Sequence, residues 1–275
     1  MTRRRLLGAL IGLSLGGLLA APPTVAAETT LEKIIRTKTF NFGAIPGIST
    51  IVDPAGTEFS GYGPDAAKWV CEQMEVKCVF QQTTWPTFAA GLQAAKFDLS
   101  IAETFTTVKR AMAVAFTDPV FYLGTGAVTL KTSKVRTLED MNNPNVRISL
   151  GQGTSQQVWV EKNLPKATLV VTKTITEVRL LDLLSNKADV AFADSGQSAR
   201  FAAANPQVLD LFAEHPLEMM AIAWAVRPSD IELLNFMNVV IRDLHSTGKL
   251  GALMRQYKVP AGSFLIPTPA TTPCK

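Results

Sequence analysis

The chain has 275 residues, 47% of them hydrophobic and 18% charged, which suits one large domain or two ordinary ones and excludes a disordered chain. Its net charge of +4 is concentrated at the start: Arg3, Arg4 and Arg5 precede the first acid, Glu28, and beyond residue 27 there remain 24 basic against 23 acidic residues. That near-neutrality argues against a nucleic-acid partner or a polybasic membrane surface, and two histidines, His215 and His245, leave little room for a His-based metal site, so neither metal nor cofactor is expected.

Arg3–Arg5, the apolar run from Leu6 to Ala21 and the small residues Val25 and Ala27 before Glu28 read as a secretory signal peptide cleaved after residue 27. The run falls short of the ~20 residues of a membrane span. Thr2-Arg3-Arg4-Arg5-Leu6-Leu7 weakly resembles a twin-arginine signal, so the export route stays open. Phe40–Ala44 reads as a strand, Pro64–Met74 as a helix with Ala67, Val70, Cys71 and Met74 on one face, and Val76–Gln81 as the next strand. A helix end followed by a turn can bring Cys71 and Cys78 together, and an oxidising compartment lets the bridge form. Cys274 is left over in a proline-rich tail, where an unpaired thiol is expected. Pro86 suits a first helical turn ahead of Phe88, Ala89, Leu92 and Ala95. Asp98–Ala102 reads as a strand and Thr107–Ala113 as a short helix.

A second set of units begins after Leu130. Val146–Leu150 reads as a strand, and Gly151-Gln152-Gly153 leads into a helix from Thr154 to Asn163. Leu169–Val171 is a strand, Thr176 suits the start of a helix through Leu184, and the strand Ala188–Ala193 is followed by a helix to about Ala204. Ala221–Val226 reads as a strand returning to the first region. Ser229-Asp230-Ile231-Glu232 is a capping-box signal for a long helix ending near Gly248, and Leu250, Leu253, Met254 and Tyr257 mark a last one. No repeat of 20–50 residues is evident. The alternation predicts an α/β protein of two lobes with the chain crossing twice.

Five segments, in order, carry a resemblance. They are Asp53-Pro54-Ala55-Gly56 with Gly61-Tyr62-Gly63-Pro64-Asp65; Phe97-Asp98-Leu99-Ser100-Ile101-Ala102 through Lys109-Arg110 to Phe116-Thr117-Asp118-Pro119; Gly153-Thr154-Ser155; Ala188-Asp189-Val190 through Asp194; and Ala225-Val226-Arg227-Pro228-Ser229-Asp230. Together they resemble the periplasmic amino-acid-binding proteins of ABC importers, solute-binding family 3, across nearly the whole mature chain. The pair Cys71 and Cys78 also matches a disulfide of that family's basic-amino-acid members. The resemblance implies a type II periplasmic-binding-protein clamshell: a first lobe from 28–125 and 218–275, a second from 126–217, and two hinge crossings. It implies a periplasmic monomer that binds an amino acid or derivative and delivers it to an inner-membrane ABC permease.

The same resemblance implies the ligand contacts. Arg110 matches the arginine that takes the ligand carboxylate, and a guanidinium grips both oxygens through paired donors. Thr154 and Ser155, where a strand turns into a helix, offer backbone N–H groups and hydroxyls to the same anion. Asp194, just past a strand end, matches the carboxylate that receives the ammonium. Each has a plainer reading: Arg110 on the surface, Gly151-x-Gly153 as a tight turn, Asp194 as a helix cap. Trp85 falls where an aromatic ring meets the ligand side chain, or it staples the following helix. Ile45 and Ile48 stand where relatives put an acid or an aromatic residue, so that contact does not carry over. Glu103 and Phe105 depart most, since relatives have a small residue and a hydroxyl there. Phe105 adds apolar surface; Glu103 meets a ligand cation, pairs with Arg110, or points into solvent.

Two other classes compete. A cyclohexadienyl dehydratase resembles this fold, but its pattern places a glutamate shortly after the aspartate matching Asp194, and here Asp194-Ser195-Gly196-Gln197 offers an amide. A ligand-sensing module on the same fold is the third reading. Dinucleotide and phosphate-loop fingerprints and a Gly-x-Ser-x-Gly elbow in the mature chain are absent.

Overall fold

The computed structural model describes residues 27–47, 49–173, 176–259 and 264–267. Ile48, Cys274 and the signal peptide apart from Ala27 lie outside the described residues. A capping box between Thr29 and Glu32 opens α1 (Thr30–Thr37), which leads into β1 (Thr39–Ala44). The hairpin β2 (Ile51–Val52) and β3 (Phe59–Ser60) precedes α2 (Tyr62–Met74), whose buried Ala66, Ala67, Val70 and Cys71 form the inward stripe. Then come β4 (Lys77–Gln82), α3 (Phe88–Gln93), β5 (Leu99–Phe105), α4 (Val108–Ala111) and β6 (Ala115–Phe116). The strand β7 (Phe121–Leu130) carries the chain onward to α5 (Leu138–Met141), β8 (Arg147–Gly151), α6 (Ser155–Asn163), β9 (Thr168–Thr172) and α7 (Thr176–Leu184). After β10 (Val190–Asp194), α8 (Ser195–Ala204) and β11 (Val208–Asp210), the strand β12 (Leu217–Val226) returns to α9 (Ile231–Ser246), α10 (Lys249–Gln256) and β13 (Phe264–Leu265).

The long sheet runs β4-β1-β5-β12-β7-β10-β8-β9. Its outer triplets are parallel, as crossover helices require, whereas β7 and β12 are antiparallel to each other and to β10 and β5 respectively. Each end has its own core. Phe40, Phe42, Leu99, Ile101, Trp224 and Ile241 pack in one, and Ile148, Leu150, Val160, Val190 and Phe192 in the other. Two cores on one bent ribbon make a two-lobed α/β fold, and β7 serves both, with Leu123 in the first core and Ala127 in the second.

The whole of β7 and the start of β12 escape the sequence reading. Gly124 and Gly126 depress strand propensity, yet they sit where neighbours press on the backbone: a Cβ at Gly124 would stand 2.3 Å from a Pro216 carbon, and one at Gly126 2.6 Å from Ser198 Oγ. Two smaller expectations are corrected. Pro86 lies in the turn closed by the Thr87 N–H to Thr84 O bond, ahead of a helix that starts at Phe88. The capping box at Ser229–Glu232 does not form, because Asp230 accepts from Thr30 Oγ1 (2.9 Å) and pairs with Arg227 (2.8 Å). The Cys71–Cys78 disulfide is present, with Cα atoms 5.9 Å apart, and ties the last turn of α2 to the edge strand β4. No described helix is long and apolar enough to cross a membrane.

Candidate ligand-binding site

The site lies where β5, β8 and β10 end, the position at which open α/β sheets hold ligands. From the first lobe, Thr107 caps α4 by accepting from the Arg110 N–H (3.2 Å), which fixes Arg110 in the helix's opening turn. The guanidinium folds back: Nη1 donates to Phe105 O (3.1 Å), Nη2 donates across the cleft to Gly153 O (3.3 Å), and its carbon lies 5.2 Å from the centre of the Trp85 ring. Trp85 also meets Phe88 edge to face, so it both lines the site and staples the helix behind it. Burial alone lowers the Arg110 pKa to about 10. Among the described residues, none of its contacts is with a carboxylate. A half-buried guanidinium held only by carbonyls and a ring has part of its desolvation cost uncompensated.

The second lobe supplies two strand-to-helix turns. At the first, Thr154 caps α6: its Oγ1 accepts from the Gln157 N–H (3.2 Å) and donates to Gly151 O (2.8 Å). That hydroxyl is engaged within the turn. What the turn leaves to the cavity is the N–H groups of Ser155 and Gln156, for which no acceptor exists among the described residues, at the positive end of α6. Gly153 has φ of +74°, and a Cβ there would sit 3.2 Å from Pro86 N, so the lobes touch at this point.

At the second turn, buried Asp194 caps α8, its Oδ1 accepting from the Gln197 N–H (2.8 Å). It is at once a helix cap and a cavity wall. Facing it from β5, Glu103 points inward and not into solvent or onto Arg110. The Tyr62 hydroxyl donates to Glu103 Oε1, and the Ser49 backbone also bonds this carboxyl. Burial first, then the Asp194 charge, raises the Glu103 pKa to about 8, against the opposing influence of the Tyr62 hydrogen bond and then of Arg200. Burial and the Glu103 charge hold the Tyr62 phenol well above its ordinary pKa, so it remains a donor.

One cavity of about 440 Å³, counted out to its mouth, is lined by all seven predicted contacts: Trp85, Glu103, Phe105 and Arg110 from the first lobe, and Thr154, Ser155 and Asp194 from the second. Ile45 lines it too, while Ile48 is outside the described residues. Sequence reasoning missed Gly47, Leu123, Gln156 and the approach of Tyr62 beneath Glu103. Gln156 was legible as the second residue of an anion-facing first turn, but nothing in sequence links Tyr62 to Glu103 across 41 positions. Gln197, on the first turn of α8, lines the cavity as well.

Residues 45–260 match the model of the bacterial extracellular solute-binding proteins, family 3. ABC transporter arginine-binding protein 1 of Escherichia coli (strain K12) is 25% identical over 79% of this chain and 94% of its own. Cyclohexadienyl dehydratase of Pseudomonas aeruginosa is 22% identical over 87% of this chain and 90% of its own. Among solved structures, an ancestral amino acid-binding protein described as a precursor of cyclohexadienyl dehydratase superposes with a TM-score of 0.76 at 26% identity, covering 84% of this chain and 99% of that one.

Proposed function

The chain belongs to the bacterial extracellular solute-binding proteins, family 3, and from that premise we propose that it captures an amino acid or amino-acid-like solute between its lobes and delivers it to an ABC permease. One observation carries this reading: Arg110 is a half-buried cation that contacts no carboxylate among the described residues, and it shares one cavity with the acid Asp194. A free amino acid brings a carboxylate that suits Arg110 and an ammonium that suits the acid Asp194, and neither of its ends enters a dry cleft cheaply unless paired. Its carboxylate belongs on Arg110 and the amides of Ser155 and Gln156, with Thr154 holding that turn in place. Its ammonium belongs on Asp194, and Trp85 with Phe105 walls in the side chain.

The lobes are residues 28–125 with 218–275 and residues 126–217, hinged at β7 and β12. A ligand that touches both stabilises the closed form over the open one, and the closed monomer is what a permease in the inner membrane recognises. The periplasm follows from the predicted leader and from the family's extracellular character. L-Arginine is the first probe, as the ligand in a relative's name. Isothermal titration of an amino-acid panel should show binding that Arg110→Ala and Asp194→Ala each weaken by ~2–5 kcal/mol, because each leaves the other ligand charge buried and unpaired. Unchanged affinity in both variants removes the site.

The family relatives include an enzyme, and one observation favours catalysis as a second reading: Glu103, with its raised pKa of about 8, is a carboxylic acid facing the cavity. Incubation with prephenate or arogenate decides it. Ring aromatisation above background that Glu103→Gln abolishes establishes an enzyme; its absence leaves a binding protein.

A further inference from the structure

Glu103 and Asp194 approach the cavity from opposite lobes, Glu103 on β5 and Asp194 at the end of β10. Burial and the Asp194 charge both favour the protonated form of Glu103, so of the two acids lining the cavity Glu103 is the one that holds a proton. The groups around Glu103 fit that arrangement. Tyr62 from α2 donates to Oε1, the Ser49 backbone bonds the carboxyl from the loop before β2, and Arg200 on α8 offers the nearby positive charge that acts on it. Arg110, in the same cavity, is turned to Phe105 O, Gly153 O and the Trp85 ring. The other carboxylate oxygen of Glu103, Oε2, would lie 4.0 Å from a Cβ placed on Gly47, whose own backbone lines the cavity. The carboxyl thus reaches the space that a ligand's cation must enter to meet Asp194.

We propose that the ligand's cation is seated between Asp194 and Glu103 in place of a proton, so that capture of solute releases that proton to solvent. This rests on the reading given above and makes Glu103 the residue that couples binding to pH. The balance is one Glu103 O–H bond broken, one proton handed to water, and one carboxylate–ammonium contact formed. Glu103 stands with a raised pKa of about 8 before the ligand arrives, and the ligand's positive charge lowers it. Affinity therefore rises with pH below about 8, close to tenfold per unit while one full proton is displaced, and levels off above it. An acid that merely shaped the cavity exchanges no proton.

The test is calorimetry of L-arginine binding at pH 7 in phosphate and in Tris, whose different ionisation heats report protons released. Close to one proton per ligand for the native protein, none for Glu103→Gln, and an affinity that no longer varies between pH 6 and 8 in that variant support the proposal. Equal apparent heats in the two buffers for the native protein overturn it, whether or not the variant folds. A ligand-free arm separates this outcome from failure of the broader reading. If no amino acid in the panel binds, capture of an amino acid is refuted, while the carbon-13 titration of the side-chain carboxyls still judges Glu103. A midpoint near 8 that drops in Asp194→Asn supports a proton held on Glu103 by the Asp194 charge; a midpoint below 6 overturns it.

Discussion

Gly153 is where closure can be perturbed without touching a ligand. Its φ of +74° and a Cβ position 3.2 Å from Pro86 N and 3.3 Å from two Pro86 ring carbons impose two separate costs on alanine. The left-handed backbone costs ~1–2 kcal/mol whether the lobes are apart or together, so it enters folding stability and lowers Tm by several degrees. The approach to Pro86 exists only when the lobes meet. Overpacking of this kind costs ~1–3 kcal/mol, and even its lower end is about fivefold in affinity. Gly56 provides the control, with φ of +73° and nothing within 4 Å of its Cβ position. Gly56→Ala should lose stability and keep its affinity; Gly153→Ala should lose both. Calorimetric titration with L-arginine and differential scanning calorimetry measure the two quantities, and small-angle scattering should show a larger mean radius for ligand-bound Gly153→Ala. If the two variants bind equally well, the lobes do not need the contact at Pro86, and the closure argument fails.

Other expectations rest on other parts of the fold. Ligand-free stability should fall as pH rises through about 8, because the raised pKa of Glu103 means that the folded state holds a proton the unfolded chain has already released above its ordinary 4.5. Denaturant melts from pH 5 to 9 should show that loss in the native protein and a smaller one in Glu103→Gln. Replacing both Cys71 and Cys78 by serine should cost ~2–3 kcal/mol in chemical unfolding, since the loop they close is short. Asp98→Ala should cost ~1–3 kcal/mol: the buried carboxylate accepts from the Asn41 N–H and Nδ2, donors it would leave unsatisfied, and from Lys33, while Arg227 keeps its 2.8 Å pair with Asp230.

What could be read from sequence was whatever repeats a local rule. The helical stripe of α2, the strand β10 followed by its capping aspartate, and the turn before α6 all announce themselves within a few residues. The seven cavity residues were reachable because each sits in a segment with a resemblance or beside one, and not because composition locates a site. Three things were not legible. The hinge strand β7 hides behind Gly124 and Gly126, whose reason is the distant Pro216 and Ser198. The occupation of the Thr154 hydroxyl depends on which way a cap turns its donor, which spacing does not fix. The direction of Glu103 was decided by Tyr62 and the Ser49 backbone, contacts between distant positions that no periodicity encodes.

The pairing of β7 with β12 has a consequence for how the chain is built. Thr125 lies opposite Leu217, and Leu123 opposite Met220, so the route out to the second lobe and the route back are neighbours in one ladder. Seen from the first lobe, the second is a hairpin loop swollen to the size of a domain. Splicing residue 124 to residue 218 through a two-residue Asn-Gly turn would leave the order β4-β1-β5-β12-β7 unbroken. The strand ladder of the half that holds Arg110 therefore does not depend on what is inserted at that seam.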